Sequence, residues 1–179
     1  VGPKADFVAQ SLGISNSVFS NCDLALFVVS AKDGFSAEVT THWSIAREQY
    51  LPSVVIVVDL EEGEIDFEDM SAIISKTLDP VVTPYLILHS EEGFPTALID
   101  LQTLQITDYT MGLKRYFDSD PEHKDLVAEF REEYLDTLRC CGKDGFEQGL
   151  LFPAIPLSLH IKLGVEEIQK YLNRFPFQS

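Results

Sequence analysis

LALFVVSAKDGFSAEVTTHWSIAREQYLPSVVIVVD, Leu24 to Asp59, decides the fold. It opens on an unbroken apolar run of strand length, DLALFVVS from Asp23 to Ser30, and closes on a second, SVVIVVD from Ser53 to Asp59. Runs without alternation predict strands buried on both faces, as in a parallel sheet. Between them Ser36 is placed to cap a helix with Val39, Trp43, Ala46 and Tyr50 on one stripe, and Pro52 ends it. The unit is strand, helix, strand, which predicts an α/β fold with right-handed crossovers.

The same rhythm continues outward. Asp66 is placed to cap a helix carrying Phe67, Met70 and Ile74 inward, closed by Asp79-Pro80. YLILH, Tyr85 to His89, predicts a third strand and LFPAIPLS, Leu151 to Ser158, a fourth. Val165, Ile168, Leu172 and Phe175 then repeat at helical spacing. An insertion over residues 94–149 separates the third strand from the fourth. TALIDLQTLQITDY, Thr96 to Tyr109, predicts an antiparallel hairpin around Gln102-Thr103. Asp120-Pro121 opens a charged helix to Leu138 with Leu126, Phe130, Tyr134 and Leu138 along it. The glycine-rich CGKDGFEQG, Cys141 to Gly149, follows a helix. It therefore does not fit a phosphate loop, whose glycines precede one.

The chain has 179 residues, 45% apolar and 23% charged, with a net charge of −16. Such a surface repels phosphate backbones and anionic lipid, so direct nucleic-acid or membrane binding is not expected. The acidity serves solubility or a basic protein partner. No apolar run approaches the roughly 18 residues of a membrane span, and none reads as a signal peptide. Cys22, Cys140 and Cys141 form neither a disulfide framework nor a zinc spacing, which points to a reducing, cytoplasmic setting. Val1 is read as the start of a piece of something longer.

Seven of the eleven residues from Asp59 to Asp69 are acids. In open α/β sheets, ligands bind beyond the carboxyl ends of the strands. Asp59 and Glu61 lie at such an end, as do Ser30-Ala31-Lys32-Asp33-Gly34 and Ser158-Leu159-His160. His89 and His160 also follow strands, but no spacing demands a metal. There is no nucleophile elbow for a hydrolase. An acidic loop that simply caps the following helix is the plain alternative to a ligand site.

The ordered set of motifs resembles the GTP-binding domain of translation elongation factor G and its paralogues. Leu24–Asp59 is similar to the family's strand, "DG" turn, helix and strand. IDFED is similar to its helix start, FPTALIDLQTLQITDY to the hairpin that opens its extra subdomain, and LFPAIPLSLHIKLGVEEIQKYLNRFPFQ to its ending. The resemblance implies a P-loop NTPase-like, mostly parallel sheet with an inserted hairpin-helix subdomain. It implies a ribosome-associated GTPase as the parent, using GTP and magnesium, neither held by this chain alone. The family's guanine-reading Asn-Lys-x-Asp falls on Val58, Asp59, Leu60 and Glu61, and its Ser-Ala on Ser158 and Leu159, with Leu159 crowding the base. Asp59, Glu61 and Ser158 are thus the candidate nucleotide-binding residues, in eroded form.

The Asp-Thr-Pro-Gly-His segment of the family falls on residues up to Lys4. Pro3 stands at the glycine that meets the γ-phosphate, and Lys4 at the water-orienting histidine. The phosphate loop is expected upstream, and its strand would lie beside Asp23–Ser30. Without it that edge would lie open, giving a homodimer or a local rearrangement that covers it. The competing expectation is a non-catalytic pseudo-GTPase module that binds a protein or ribosomal partner. An unrelated small-molecule enzyme on the same sheet is a third.

Overall fold

β-Branched residues dominate Ser53–Val58, and their stiff side chains favour an extended backbone. This strand, β3, sits inside a parallel sheet of order β1-β2-β3-β8, formed with Ala5–Phe7 (β1), Leu24–Ser30 (β2) and Ala154–Pro156 (β8). The computed structural model describes residues 5–7, 19, 21–62, 64–110, 112 and 114–175. Helices α1 (Ala37–Glu48) and α2 (Phe67–Thr77) follow β2 and β3. Asp66 caps α2 by accepting from the Asp69 amide at 2.8 Å, satisfying one of the amides a helix start leaves unpaired. A second, antiparallel sheet of order β4-β5-β6-β7 comprises Tyr85–His89, Pro95–Asp100, Gln105–Asp108 and Arg115–Asp118. Helices α3 (Pro121–Leu126) and α4 (Ala128–Cys141) come next, and α5 (Val165–Leu172) follows β8.

The parallel sheet is buried on both faces. Phe27, Val29, Val55 and Val57 pack with Trp43 and Ala46 of α1 and with Phe67, Met70 and Ile74 of α2. The alternate residues Leu24, Leu26, Val54, Ile56 and Ile155 pack with Ile99, Val127, Tyr134 and Ile168. Successive strand side chains point to opposite faces, so one apolar run supplies both cores. A buried Val or Ile contributes about 1.5–3 kcal/mol.

The structure corrects several local expectations. Tyr85–His89 forms a strand, but in the antiparallel sheet. Val82, just before it, is what joins the parallel one: its amide donates to Phe152 O at 2.9 Å and its carbonyl accepts from the Ala154 amide at 2.8 Å. Pro84, which has no N–H, marks the corner where the chain passes between sheets. The charged helix beginning at Pro121 breaks at Val127 (φ −99°, ψ 4°). Val127 and Tyr134 become its buried positions, while Leu126 and Phe130 stand 68% and 44% exposed. Tyr50 lies beyond α1 with φ 52° and is exposed. Strand β7 has no counterpart among the sequence expectations; it is four residues long and all of them are exposed, its adjacent aromatics Tyr116 and Phe117 included.

The edge of β2 is paired with β1 from Leu24 to Leu26, so over that length it does not lie open. The pairing recorded among the described residues ends there, and Val28 is 40% exposed. Val1, Pro3 and Lys4 lie outside the described residues. No helix among those described is long and apolar enough to cross a membrane.

Candidate functional site

Register brings the site together. Ser30 pairs with Val58 across β2 and β3, so the residues following both strands emerge side by side. The Ala31 amide extends the pairing to Val58 O at 2.9 Å. Ser30 Oγ donates to Asp59 Oδ2 at 2.6 Å and accepts from the amides of Lys32 and Asp33 at 3.2 and 3.0 Å. Gly34, at φ 75°, returns the chain so that its amide donates to Ser30 O at 2.8 Å.

Asp59 itself has φ 60°. Asp is among the few side chains that visit this left-handed region at modest cost. The turn sends Leu60 onward and carries Glu61 toward β8. Ser158 follows β8, is 3% exposed, and donates its hydroxyl to Glu61 Oε1. Its amide donates to Leu163 O at 3.1 Å, closing a loop in which Lys162 and Gly164 have φ 61° and 85°. Gly164 is required there: a Cβ would lie 1.8 Å from Pro156 O.

Of the three sequence candidates, Glu61 and Ser158 meet directly, while Asp59 is bonded instead to Ser30. Lys32, in the turn after β2, pairs with Glu62 at 2.8 Å. The hydrogen bond and charge of Glu62 raise the Lys32 pKa. The carboxylates of Asp59 and Glu61 are therefore each matched by a hydroxyl. Glu62 is the member that sequence reasoning missed. Ser30 was placed at the same strand end from the sequence, but its bond to Asp59 follows only from the register of its strand with β3. Leu159, expected to crowd the site, has a side chain that stands 76% exposed. His89 and His160 are both exposed. Among the described residues no group of three or more His, Cys, Asp or Glu is arranged to hold a metal.

Chemically the arrangement offers carboxylate oxygens just beyond strand β3, one of them oriented by a buried hydroxyl. Such a carboxylate can accept paired N–H groups from a planar ligand. A phosphate is cradled by a row of backbone amides at a helix start, and the contacts around Glu61 and Ser158 are of another kind.

No family model matches this chain, and no curated protein matches it. Solved structures do: 85 chains match in fold. One is the crystal structure of a protein from Thermus thermophilus, with a TM-score of 0.77 and 23% identity, covering 90% of this chain and 28% of that one. The chain thus spans little more than a quarter of the length of that relative in fold. At this identity the likeness establishes the architecture, an α/β fold, and not the chemistry.

Proposed function

We propose that the chain is part of the GTP-binding domain of an elongation-factor-G-like translation factor, carrying the base-reading side with its guanine loop eroded. One observation supports this reading above the rest. Glu61 and Ser158, 97 positions apart, fall on two separate motifs that the resemblance assigns to one guanine site, and they are hydrogen-bonded to each other. In that role Glu61 would accept the paired N–H groups of the base, with Ser158 holding one of its oxygens. The family's asparagine and lysine are replaced by Val58 and Asp59, so the base would keep one contact set out of several.

No GxxxxGK[ST] run occurs in the 179 residues. Phosphoryl transfer depends on that loop, its lysine and the magnesium-binding hydroxyl. The chain alone is expected neither to hydrolyse GTP nor to bind it with micromolar affinity. Calorimetry with GTP and magnesium tests this, and an affinity of about 1 µM or tighter overturns it. The base site is tested by restoring the motif with Val58→Asn, Asp59→Lys and Glu61→Asp together. The restored chain is expected to prefer guanosine over adenosine in an NMR titration, with shifts around Ser158. A restored chain with no such preference overturns the assignment.

A second reading, a pseudo-GTPase module that binds a basic protein or ribosomal partner, is favoured by one surface. Glu129, Glu132, Glu133 and Asp136 line the outer side of α4, beside the exposed Phe130. Reversing Glu129 and Glu133 to Lys is expected to weaken co-sedimentation of the whole protein with ribosomes if this reading holds, and to leave it unchanged otherwise.

A further inference from the structure

A cavity of about 670 Å3 lies between the antiparallel sheet and helices α4 and α5, within the roughly 300–1,000 Å3 typical of small-molecule sites. Pro84 and Leu151, which precede β4 and β8, form part of its wall. Glu61 and Ser158 follow the opposite ends of β3 and β8. The cavity therefore sits at the far end of the sheet from the candidate base site and is independent of it.

Its charge runs against that of the chain. Lys and Arg number 13 against 29 acids, yet Arg139, Lys143, Lys170 and Arg174 all line this one cavity, and Asp100 is the single carboxylate in the lining. Asp100 Oδ1 already accepts from the amides of Gln102 and Thr103 at 2.8 and 3.0 Å. The cations keep donors to spare. Arg174 uses Nε on Glu147 at 2.7 Å, which leaves its two terminal nitrogens. Arg139 pairs through Nη1 with Asp136, and both are mostly exposed. Lys143 is exposed just beyond the end of α4.

Three phenols complete the polar lining. Burial pushes the Tyr134 hydroxyl up to about 12, and raises those of Tyr85 and Tyr171 as well. All three stay protonated at neutral pH and can donate. Tyr85 Oη accepts from Lys170 Nζ at 3.2 Å, so its own hydrogen is left for another acceptor. Leu138, Phe146 and Leu151 add apolar wall. Four cations and three hydroxyls offer more donors than the two oxygens of a carboxylate can take up. A phosphate group presents three or more oxygens, and Arg forks match its geometry.

We propose that this cavity binds a small phosphorylated organic anion carrying two or more negative charges, its phosphates on the Arg and Lys groups and its organic body against the apolar wall.

The test is an NMR titration of the intact chain with ADP, with inorganic pyrophosphate, and with acetate at matched ionic strength. Saturable shifts are expected for ADP and pyrophosphate around Lys143, Lys170 and Arg174, with a Kd below about 1 mM at low salt and weaker binding as salt is added. ADP is expected to bind more tightly than pyrophosphate. Lys143→Gln with Lys170→Gln is expected to weaken binding by about tenfold or more. Lys143 is exposed, so Lys143→Gln alone should not move the thermal transition; Lys170 donates to Tyr85 Oη, and where the double variant shifts the transition the single variant serves as the probe. No saturation by about 10 mM, acetate shifts equal to those of pyrophosphate, or shifts confined to the loops at Glu61 and Ser158 would each overturn the proposal.

Discussion

At the scale of the residue, Asp59 and Ser158 are controlled by different physics. Asp59 has φ 60° and its carboxylate accepts from Ser30. Asn tolerates the same backbone and keeps an acceptor, so Asp59→Asn is expected to change stability by less than about 0.5 kcal/mol. Asp59→Val meets the left-handed penalty with a branched Cβ and is expected to cost about 1–2 kcal/mol. Ser158 is buried, and Ser158→Ala removes the donor to Glu61; the expected loss is about 1 kcal/mol. Urea denaturation of the three variants checks these values. The positions of Asp59, Glu61 and Ser158 were legible because each follows an apolar run, and such runs end where ligands bind in α/β sheets. Their partners were not legible. Register is a property of two strands together, so nothing in the sequence says that Ser30 lies beside Asp59, or that Lys32 turns to Glu62.

At the scale of the element, α2 carries a built-in pH response. Glu68 stands in its first turn, and burial holds its carboxyl above the ordinary 4.5, against hydrogen bonds that lower it. The folded state then binds this proton more strongly than the unfolded state does. The contribution of Glu68 is therefore most favourable below 4.5 and declines as pH rises through the raised value. Glu68→Gln is expected to remove that decline, so its stability difference from the parent should grow between acid and neutral pH in paired chemical melts. Gly164→Ala is expected to cost more than about 2 kcal/mol, because it combines a positive φ with a clash against Pro156 O. The strands β2 and β3 and the Asp66 cap were readable because apolar runs and cap residues are local signals. The break at Val127 was not, because Leu126, Phe130, Tyr134 and Leu138 keep a helical spacing that tertiary packing overrides. Strand β7 was hidden because it is held by its partner: the Arg115–Asp108 ion pair of 2.6 Å spans β6 and β7, and none of its residues is buried.

At the scale of the whole molecule, a net charge of −16 destabilises the compact state by self-repulsion. Raising salt from about 20 mM to about 500 mM shortens the screening length from roughly 20 Å to under 5 Å. The melting temperature is expected to rise across that range, and a flat or falling series would contradict this account. Val82 joins the parallel sheet just ahead of β4, and the connection between β6 and β7 is tied to α5 by Lys114–Glu166 at 2.8 Å and by Tyr109 Oη donating to the buried Glu167 at 3.1 Å. Calorimetry is accordingly expected to record one transition. The α/β order was readable from the alternation of strands and helices. The antiparallel sheet was only partly readable: β4, β5 and β6 were legible as strands, but the pairing of β4 with β5 and the existence of β7 are set by partners and not by pattern.

The pairing of β3 with β8 has a consequence for how the chain is made. Strands β4 to β7 are neighbours in sequence and join through short turns, so they can zip up while the chain is still growing. β3 has to wait for its second neighbour until the whole insertion has been made, and distant pairings form slowly. During that interval the apolar edge Val55–Val57 has no strand to cover it, which is the condition under which nascent chains aggregate. Pulse-labelled hydrogen exchange during refolding is expected to protect the amides of β5 and β6 before those of β8. Simultaneous protection would mean that the parallel sheet assembles without waiting for its last strand.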